Sequence, residues 1–179
     1  MPRNSKNLKN KFINLYDQHH AGIYRFLRMR VKNEETAQDL TSESFTKAWD
    51  ALSSGSAPYP QNPRAYLYKV AYNSLVDYYR SAVKNREVQI ENQDILVHLA
   101  SVQANQNIKE QIEKNMDMSQ DMDKIYFVLQ DMSDLSTDVI TLKYIEDMSN
   151  SEIAEILNKS EGSVRTALSR ALQELREKL

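Results

Sequence analysis

Apolar residues return every three or four positions through most of this chain, in blocks that predict helices rather than strands. From Asn7 to about Asp50, Phe12, Leu15, Tyr16, Ile23, Phe26, Leu27 and Val31 keep helical intervals. After Asn33-Glu34-Glu35 a new helix carries Ala37, Leu40, Phe45, Ala48 and Leu52. The cluster Ser53-Ser54-Gly55-Ser56-Ala57-Pro58 breaks the pattern. Asn62 and Pro63 then read as N-cap and first-turn proline of a third helix reaching about Ser81. Leu67, Val70, Ala71, Ser74, Leu75 and Tyr78 form the stripe expected to face its core. From Val83 to about Gln120 the chain is polar, rich in Asn and Gln and weak in periodicity. It reads as a linker in which Ile95, Leu96, Leu99 and Val102 form a short amphipathic helix. Ile125, Val128, Leu129 and Met132 open the last segment, and a helix from Leu135 through Tyr144 follows.

The chain closes on two short helices separated by a tight break. Ser149 and Glu152 have capping-box spacing, in which hydroxyl and carboxylate each satisfy an orphan amide at a helix start. Ile153, Ala154 and Leu157 lie on one face, and Asn158-Lys159-Ser160 interrupts them. Val164, Leu168, Ala171, Leu172 and Leu175 then give a second helix its apolar stripe. This is the layout of a helix-turn-helix, whose second helix enters a DNA major groove. Arg165, Thr166, Ser169 and Arg170 sit near the start of that helix, away from the apolar stripe. The planar fork of an arginine can make two hydrogen bonds to a guanine or a phosphate. Two short helices also pack this way without DNA, and a surface arginine is often simply solvated.

Composition narrows the class. Three glycines, four prolines and no cysteine among 179 residues favour an all-helical protein and exclude disulfides, thiolate metal sites and cysteine nucleophiles. No apolar run approaches a membrane span and the N-terminus has no signal-peptide pattern, so a soluble cytoplasmic protein is expected. The net charge of −2 is unevenly spread. Residues 1–82 carry 12 basic against 7 acidic groups, residues 83–120 carry 4 against 6, and residues 121–179 carry 7 against 12. Within that acidic third, Lys159–Lys178 holds five basic groups against three acidic, so the second helix of the motif is locally positive.

Two further surfaces stand out. Tyr66, Lys69, Asn73, Asp77 and Arg80 share a face of the third helix, where rings can stack on bases, cations meet phosphates and an amide reads a base edge. Half-buried packing tyrosines and an Asp77–Arg80 ion pair explain the same stripe without a ligand. On the second helix Asp39, Glu43 and Lys47 step by four, with Phe45 and Trp49 one step away. Such a mixed patch suits partner docking, although Glu43–Lys47 pairing is its ordinary reading. An enzyme is not indicated. His19 and His20 point about 100° apart on a helix, and no carboxylate accompanies a glycine-rich or nucleophile-bearing loop. No catalytic residue, metal site or cofactor is expected.

Together these motifs resemble the extracytoplasmic-function group of the sigma-70 family, the small promoter-recognition subunits of bacterial RNA polymerase. Ala37–Leu52 is similar to the family's core-polymerase-binding helix, Asn62–Ser81 to its −10 element helix and Met148–Leu179 to its −35 helix-turn-helix. The resemblance implies an all-α fold of two helical domains. A three-to-four-helix domain over residues 1–82 and a helix-turn-helix domain over 121–179 would be joined by a flexible linker, 83–120. It further implies that Asp39, Leu40, Glu43, Phe45 and Trp49 meet core polymerase, and that Tyr66, Lys69, Asn73, Asp77 and Arg80 meet the single-stranded −10 element. Lys159, Ser163, Arg165, Thr166, Ser169 and Arg170 would meet the double-stranded −35 element. Core polymerase, promoter DNA and an anti-sigma factor are the implied partners, with no membrane insertion and with nucleoid association in the holoenzyme. Departures include Ser42 where Gln is frequent, Tyr66 where Trp is usual, Ser133 where Pro is common, Asp138 where a basic residue is common and Ser163 in place of Thr. A free-standing dimeric helix-turn-helix regulator and a helical adaptor with solvated charges are the rival readings. Neither needs the Asp39/Glu43 patch or the third-helix stripe.

Overall fold

The computed structural model describes residues 3–90 and 120–178, and the regular elements within them are all helical. Helix α1 spans Arg3–Arg28, α2 Glu34–Ser53, α3 Pro63–Ile90, α4 Gln120–Gln130, α5 Asp134–Ile140, α6 Asn150–Leu157 and α7 Glu161–Lys178. The amphipathic helix expected around Ile95–Val102 lies outside the described residues.

Short polar side chains start these helices, two of them, at Asn62 and Ser149, as the sequence predicts. Asn33 accepts the Glu35 amide at 2.9 Å and begins α2. Asn62 accepts the Ala65 amide at 3.1 Å while Pro63, lacking an N–H, takes the first position of α3. Ser149 accepts the Glu152 amide at 3.2 Å, and the Glu152 carboxylate accepts the Ser149 amide at 2.9 Å, completing the capping box of α6. The Ser53–Pro58 break turns through Gly55 at φ 74°, a left-handed conformation that glycine adopts without steric cost.

Helices α1, α2 and α3 pack against one another around Ile23, Phe26, Leu27, Ala37, Ala48, Leu67, Tyr68, Ala71 and Leu75, all buried. Each large apolar side chain removed from water contributes on the order of 1.5–3 kcal/mol. A second module forms where α5, α6 and α7 bury Leu129, Val139, Ile140, Leu142, Ile153, Ile156, Val164 and Ala171. The two modules dock, chiefly through α3 against α6, and their cores join into one apolar cluster.

Three expectations are revised. Helix α3 does not stop near Ser81 but runs on to Ile90, taking up the first part of the stretch read as linker. Tyr78 faces solvent rather than the core, 40% exposed, in the C-terminal half of α3 beyond the last fully buried position, Leu75. The helix expected from Leu135 through Tyr144 is α-helical only to Ile140 and continues as a π-helical turn, Thr141–Ile145. That turn closes with the Glu146 amide on the Thr141 carbonyl at 2.9 Å, and Asp147 then takes a left-handed φ of 50°. A π turn inserts one residue into helical register, which re-aims the side chains that follow it.

Candidate polymerase and nucleic-acid interfaces

Helix α7 presents the most exposed cationic surface of the C-terminal module. Its Val164, Ala167, Leu168 and Ala171 are buried, which leaves Ser163, Arg165, Thr166, Ser169 and Arg170 facing water. The bend between α6 and α7 is made by Asn158, left-handed at φ 54°, a conformation asparagine tolerates better than most side chains. Lys159 follows on that bend, exposed. Ser160 caps α7 by accepting the Ser163 amide at 3.1 Å. Arg165 lies 3.8 Å from Glu161 one turn earlier, an exposed pair weak enough for a phosphate or base to replace. Thr166 returns its hydroxyl to the Gly162 carbonyl at 3.1 Å. Lys159, Ser163, Thr166 and Arg170 all line one shallow cleft of about 770 Å³. Five of the six residues expected to meet duplex DNA thus lie along the first three turns of one exposed helix, with Lys159 at its approach.

The α3 stripe is only partly available. Asn73, Asp77 and Arg80 are exposed, whereas Tyr66 and Lys69 are half-buried and the Tyr66 ring packs onto the core. Burial raises the Tyr66 hydroxyl above its ordinary range, so it stays a neutral donor. Asp77 is held loosely between Arg80 at 3.8 Å and Lys47 at 3.9 Å, and Lys47 also donates to the buried Ser74 hydroxyl at 3.2 Å. The intrahelical pair foreseen from sequence is present, but it lies in water, and Asn73 carries no such restraint among the described contacts.

On α2, Asp39 and Glu43 are exposed, with Glu43 paired to Lys47 at 2.6 Å. Leu40 and Phe45 are only 4% and 5% exposed, because their positions on α2 face the core between the helices. Trp49 is half-buried, its ring 5.2 Å from Phe12. Helix α1 adds exposed apolar groups next to Phe45. Tyr16 lies 4.8 Å from the Phe45 ring and is 42% exposed, and Ile13 next to it is 46% exposed. The sequence reading missed both, since Tyr16 fitted the core periodicity and Ile13 fell between stripes.

A polar seam was also missed. Glu146, buried, accepts Arg25 Nε at 2.8 Å and the Tyr68 hydroxyl at 2.6 Å, while Arg64 donates to its backbone carbonyl. Arg30 reaches Asp138 at 2.5 Å and Asp134 at 3.2 Å. Asn62 donates to Glu152 at 2.8 Å, and Arg28 donates to the Tyr126 hydroxyl. Burial pushes the Asp138 carboxyl up to about 6 despite Arg30 beside it, so desolvation there exceeds the attraction of the pair. The same pair raises the Arg30 guanidinium, which stays charged. Glu152 is held below the usual carboxylate range by the Ser149 amide and by Asn62. Among the described residues no cluster of His, Asp and Glu could hold a metal, and no helix is long and apolar enough to cross a membrane.

Comparison with known proteins agrees with this layout. Residues 15–85 match Sigma-70 region 2, and residues 122–175 match Sigma-70, region 4. The chain is 30% identical over 165 residues to RNA polymerase sigma factor YlaC of Bacillus subtilis strain 168, covering 92% of this chain and 90% of that one. It is 28% identical over 162 residues to the ECF RNA polymerase sigma factor SigM of the same organism, covering 90% and 91%. In fold it is similar to the sigma factor RpoE of Bartonella quintana, solved with the anti-sigma factor NepR, at a TM-score of 0.66 and 20% identity, covering 94% of this chain and 96% of that one. With region 2 carrying the α2 and α3 surfaces and region 4 carrying the helix-turn-helix, the chain belongs to the sigma-70 family as an RNA polymerase sigma factor of the extracytoplasmic-function group.

Proposed function

We propose that the chain binds core RNA polymerase through Asp39, Glu43 and the Trp49 ring, reads the −35 duplex with α7 and holds the opened −10 strand along α3. Each surface has the chemistry its target needs. An exposed acidic pair on the helix that also carries the half-buried Trp49 ring gives charge-directed docking with apolar area to bury. A capped helix bearing Ser163, Arg165, Thr166, Ser169 and Arg170 offers hydrogen bonds to base edges, and Lys159 and the arginines meet phosphates. Asn73 and Arg80, exposed on α3 beside Tyr78 and Tyr79, supply an amide, a cation and π-faces for unstacked bases. Residues 1–82 then serve as the polymerase and −10 module, 83–120 as the connection and 121–179 as the −35 module.

One observation carries this reading: an acidic docking patch, a polar stripe and a recognition helix follow one another along a single chain. The chemistry of nucleotide addition belongs to the polymerase; this subunit contributes recognition and strand opening and needs no cofactor of its own. An anti-sigma factor is a further expected partner, as RpoE of Bartonella quintana was solved with one, and the working compartment is the cytoplasm, at the nucleoid when in the holoenzyme. Run-off transcription by core polymerase on a promoter library, with and without the purified chain, tests the proposal. Transcripts starting at defined positions only when the chain is added are expected; an unchanged start-site distribution overturns it.

A further inference from the structure

We propose that Glu174 is a positioning residue for promoter reading: its carboxylate, held on the start of α5, sets the rotation of α7 and leaves Arg170 free for the −35 duplex. This rests on the reading of α7 given above and names the group that aims it.

The apolar face of α7 fixes its rotation only weakly. Two of its four buried residues, Ala167 and Ala171, are alanines, and apolar attraction has no direction of its own. Directional contacts come from the C-terminal half of the helix. Glu174 accepts the Ser133 amide at 2.9 Å and the Ser136 hydroxyl at 2.6 Å, both from the corner that opens α5. The Ser133 hydroxyl donates in turn to that of Ser136 at 2.8 Å, so a chain of donors ends on the carboxylate. One turn further on, Lys178 pairs with Asp131 of the same corner at 2.6 Å. The Ser136 hydroxyl, and then the Ser133 amide, hold the Glu174 carboxyl below its ordinary range, so it is an anion at neutral pH.

Anchor and reading surface form one row. Thr166, Arg170, Glu174 and Lys178 recur at steps of four, so they stand above one another along α7. The first two belong to the −35 surface and the last two to the anchor. Thr166, Arg170 and Glu174 also line the same cleft as Ser133 and Ser136. Hydrogen bonds between successive turns make the helix a stiff rod, so a rotation at the anchor is carried to the reading half. An arginine four residues from a glutamate stands within reach of an ion pair with it. Here the serines draw the carboxylate away. Arg165 keeps Glu161 at 3.8 Å, whereas Arg170 is exposed and has no acidic partner among the described residues.

The test uses core polymerase reconstituted with the full chain, and a promoter duplex recovered from the run-off library. Removing a carboxylate from a DNA-facing surface ordinarily strengthens binding to phosphates. Glu174→Ala is expected to do the reverse and weaken promoter affinity roughly tenfold. Glu177→Ala, which removes an exposed carboxylate from the same helix, should leave affinity equal or stronger. Ser133→Pro combined with Ser136→Ala removes both donors, and the Ser133 φ of −62° already suits proline. In that background Glu174 is released onto Arg170, so affinity falls and the slope of log affinity against log salt drops by about one. Adding Glu174→Ala there should restore the slope and raise affinity, the opposite of its effect alone; a group that only stabilised the fold would give no such reversal. Should the serine double variant lose its helical circular dichroism, Ser136→Ala alone carries the same signs. The proposal is overturned if Glu174→Ala strengthens binding or leaves it unchanged, acts with one sign in both backgrounds, or is matched by Glu177→Ala. Those results leave selective binding by the parent holoenzyme intact. A parent that fails to distinguish the promoter from a scrambled duplex overturns the promoter reading itself, and this proposal with it.

Discussion

Tyr68→Phe isolates a single hydrogen bond at the seam. The phenol donates to Glu146 Oε2 at 2.6 Å from a ring only 1% exposed, and the carboxylate keeps Arg25 at 2.8 Å when the hydroxyl is gone. Phenylalanine retains the packing against Phe26, whose ring centroid lies 5.8 Å away, so the loss is confined to one bond to a charged acceptor. Such bonds contribute about 1.5–3 kcal/mol, which for a chain of this length lowers the melting temperature by roughly 3–12 °C. The assay is thermal and urea unfolding followed by circular dichroism, which sees both modules. Fluorescence of Trp49, the single tryptophan, follows the N-terminal module alone. A double-mutant cycle with Glu146→Gln should give a coupling of about 1 kcal/mol or more. A coupling below about 0.5 kcal/mol would refute the assignment, since residues that do not interact add to within that margin. If the seam opens before the modules unfold, the circular dichroism transition broadens while the Trp49 transition stays sharp.

Three further outcomes are expected. Arg165→Ala should weaken binding by about 1–3 kcal/mol at one −35 position if the fork reads a base, and evenly across sequences if it meets phosphate; promoter-variant affinities decide between them. Glu43→Lys should reduce holoenzyme assembly measured by native gel or interferometry with helical content unchanged, because Glu43 is exposed and, among the described residues, pairs with Lys47 across one turn. Asp138 makes stability fall as pH rises from about 4 to about 6: in that window the native carboxyl keeps its proton while the unfolded one has lost it, a difference of roughly 3 kcal/mol. Carboxylates held low, such as Glu152, act with the opposite sign. The contribution of Asp138 is therefore read as wild type minus Asp138→Asn, which should decline across that window; a flat difference would contradict it.

What could be read from sequence divides along physical lines. Local rules worked: Asn62 and the Ser149/Glu152 pair cap the helices they were expected to cap, and the Val164/Leu168/Ala171 stripe faces inward. Periodicity placed Leu40 and Phe45 correctly in the core and failed at Tyr78, which lies beyond the last buried position of α3 and is 40% exposed. The π turn was invisible because its residues keep an unbroken helical composition. The seam was invisible for another reason: Arg25 and Glu146 stand 121 residues apart, and nothing in local spacing links them. Two faint signals were available, a lone glycine inside a strong helix and Asp138 at a position where the resembling family is commonly basic.

The five residues Thr141–Ile145 act as a register counter. Removing one would let α5 continue in ordinary α-helical step and swing whatever follows by about 100°. The Glu146 carboxylate would then point away from Arg25 and Tyr68. A chain lacking that one residue would keep its caps and its recognition helix, and would keep the Arg30–Asp138 pair that precedes the turn, yet it would lose the Glu146 link. Insertion and deletion, more than substitution, are thus the changes by which descendants of this sequence would undo that one link while sparing the rest.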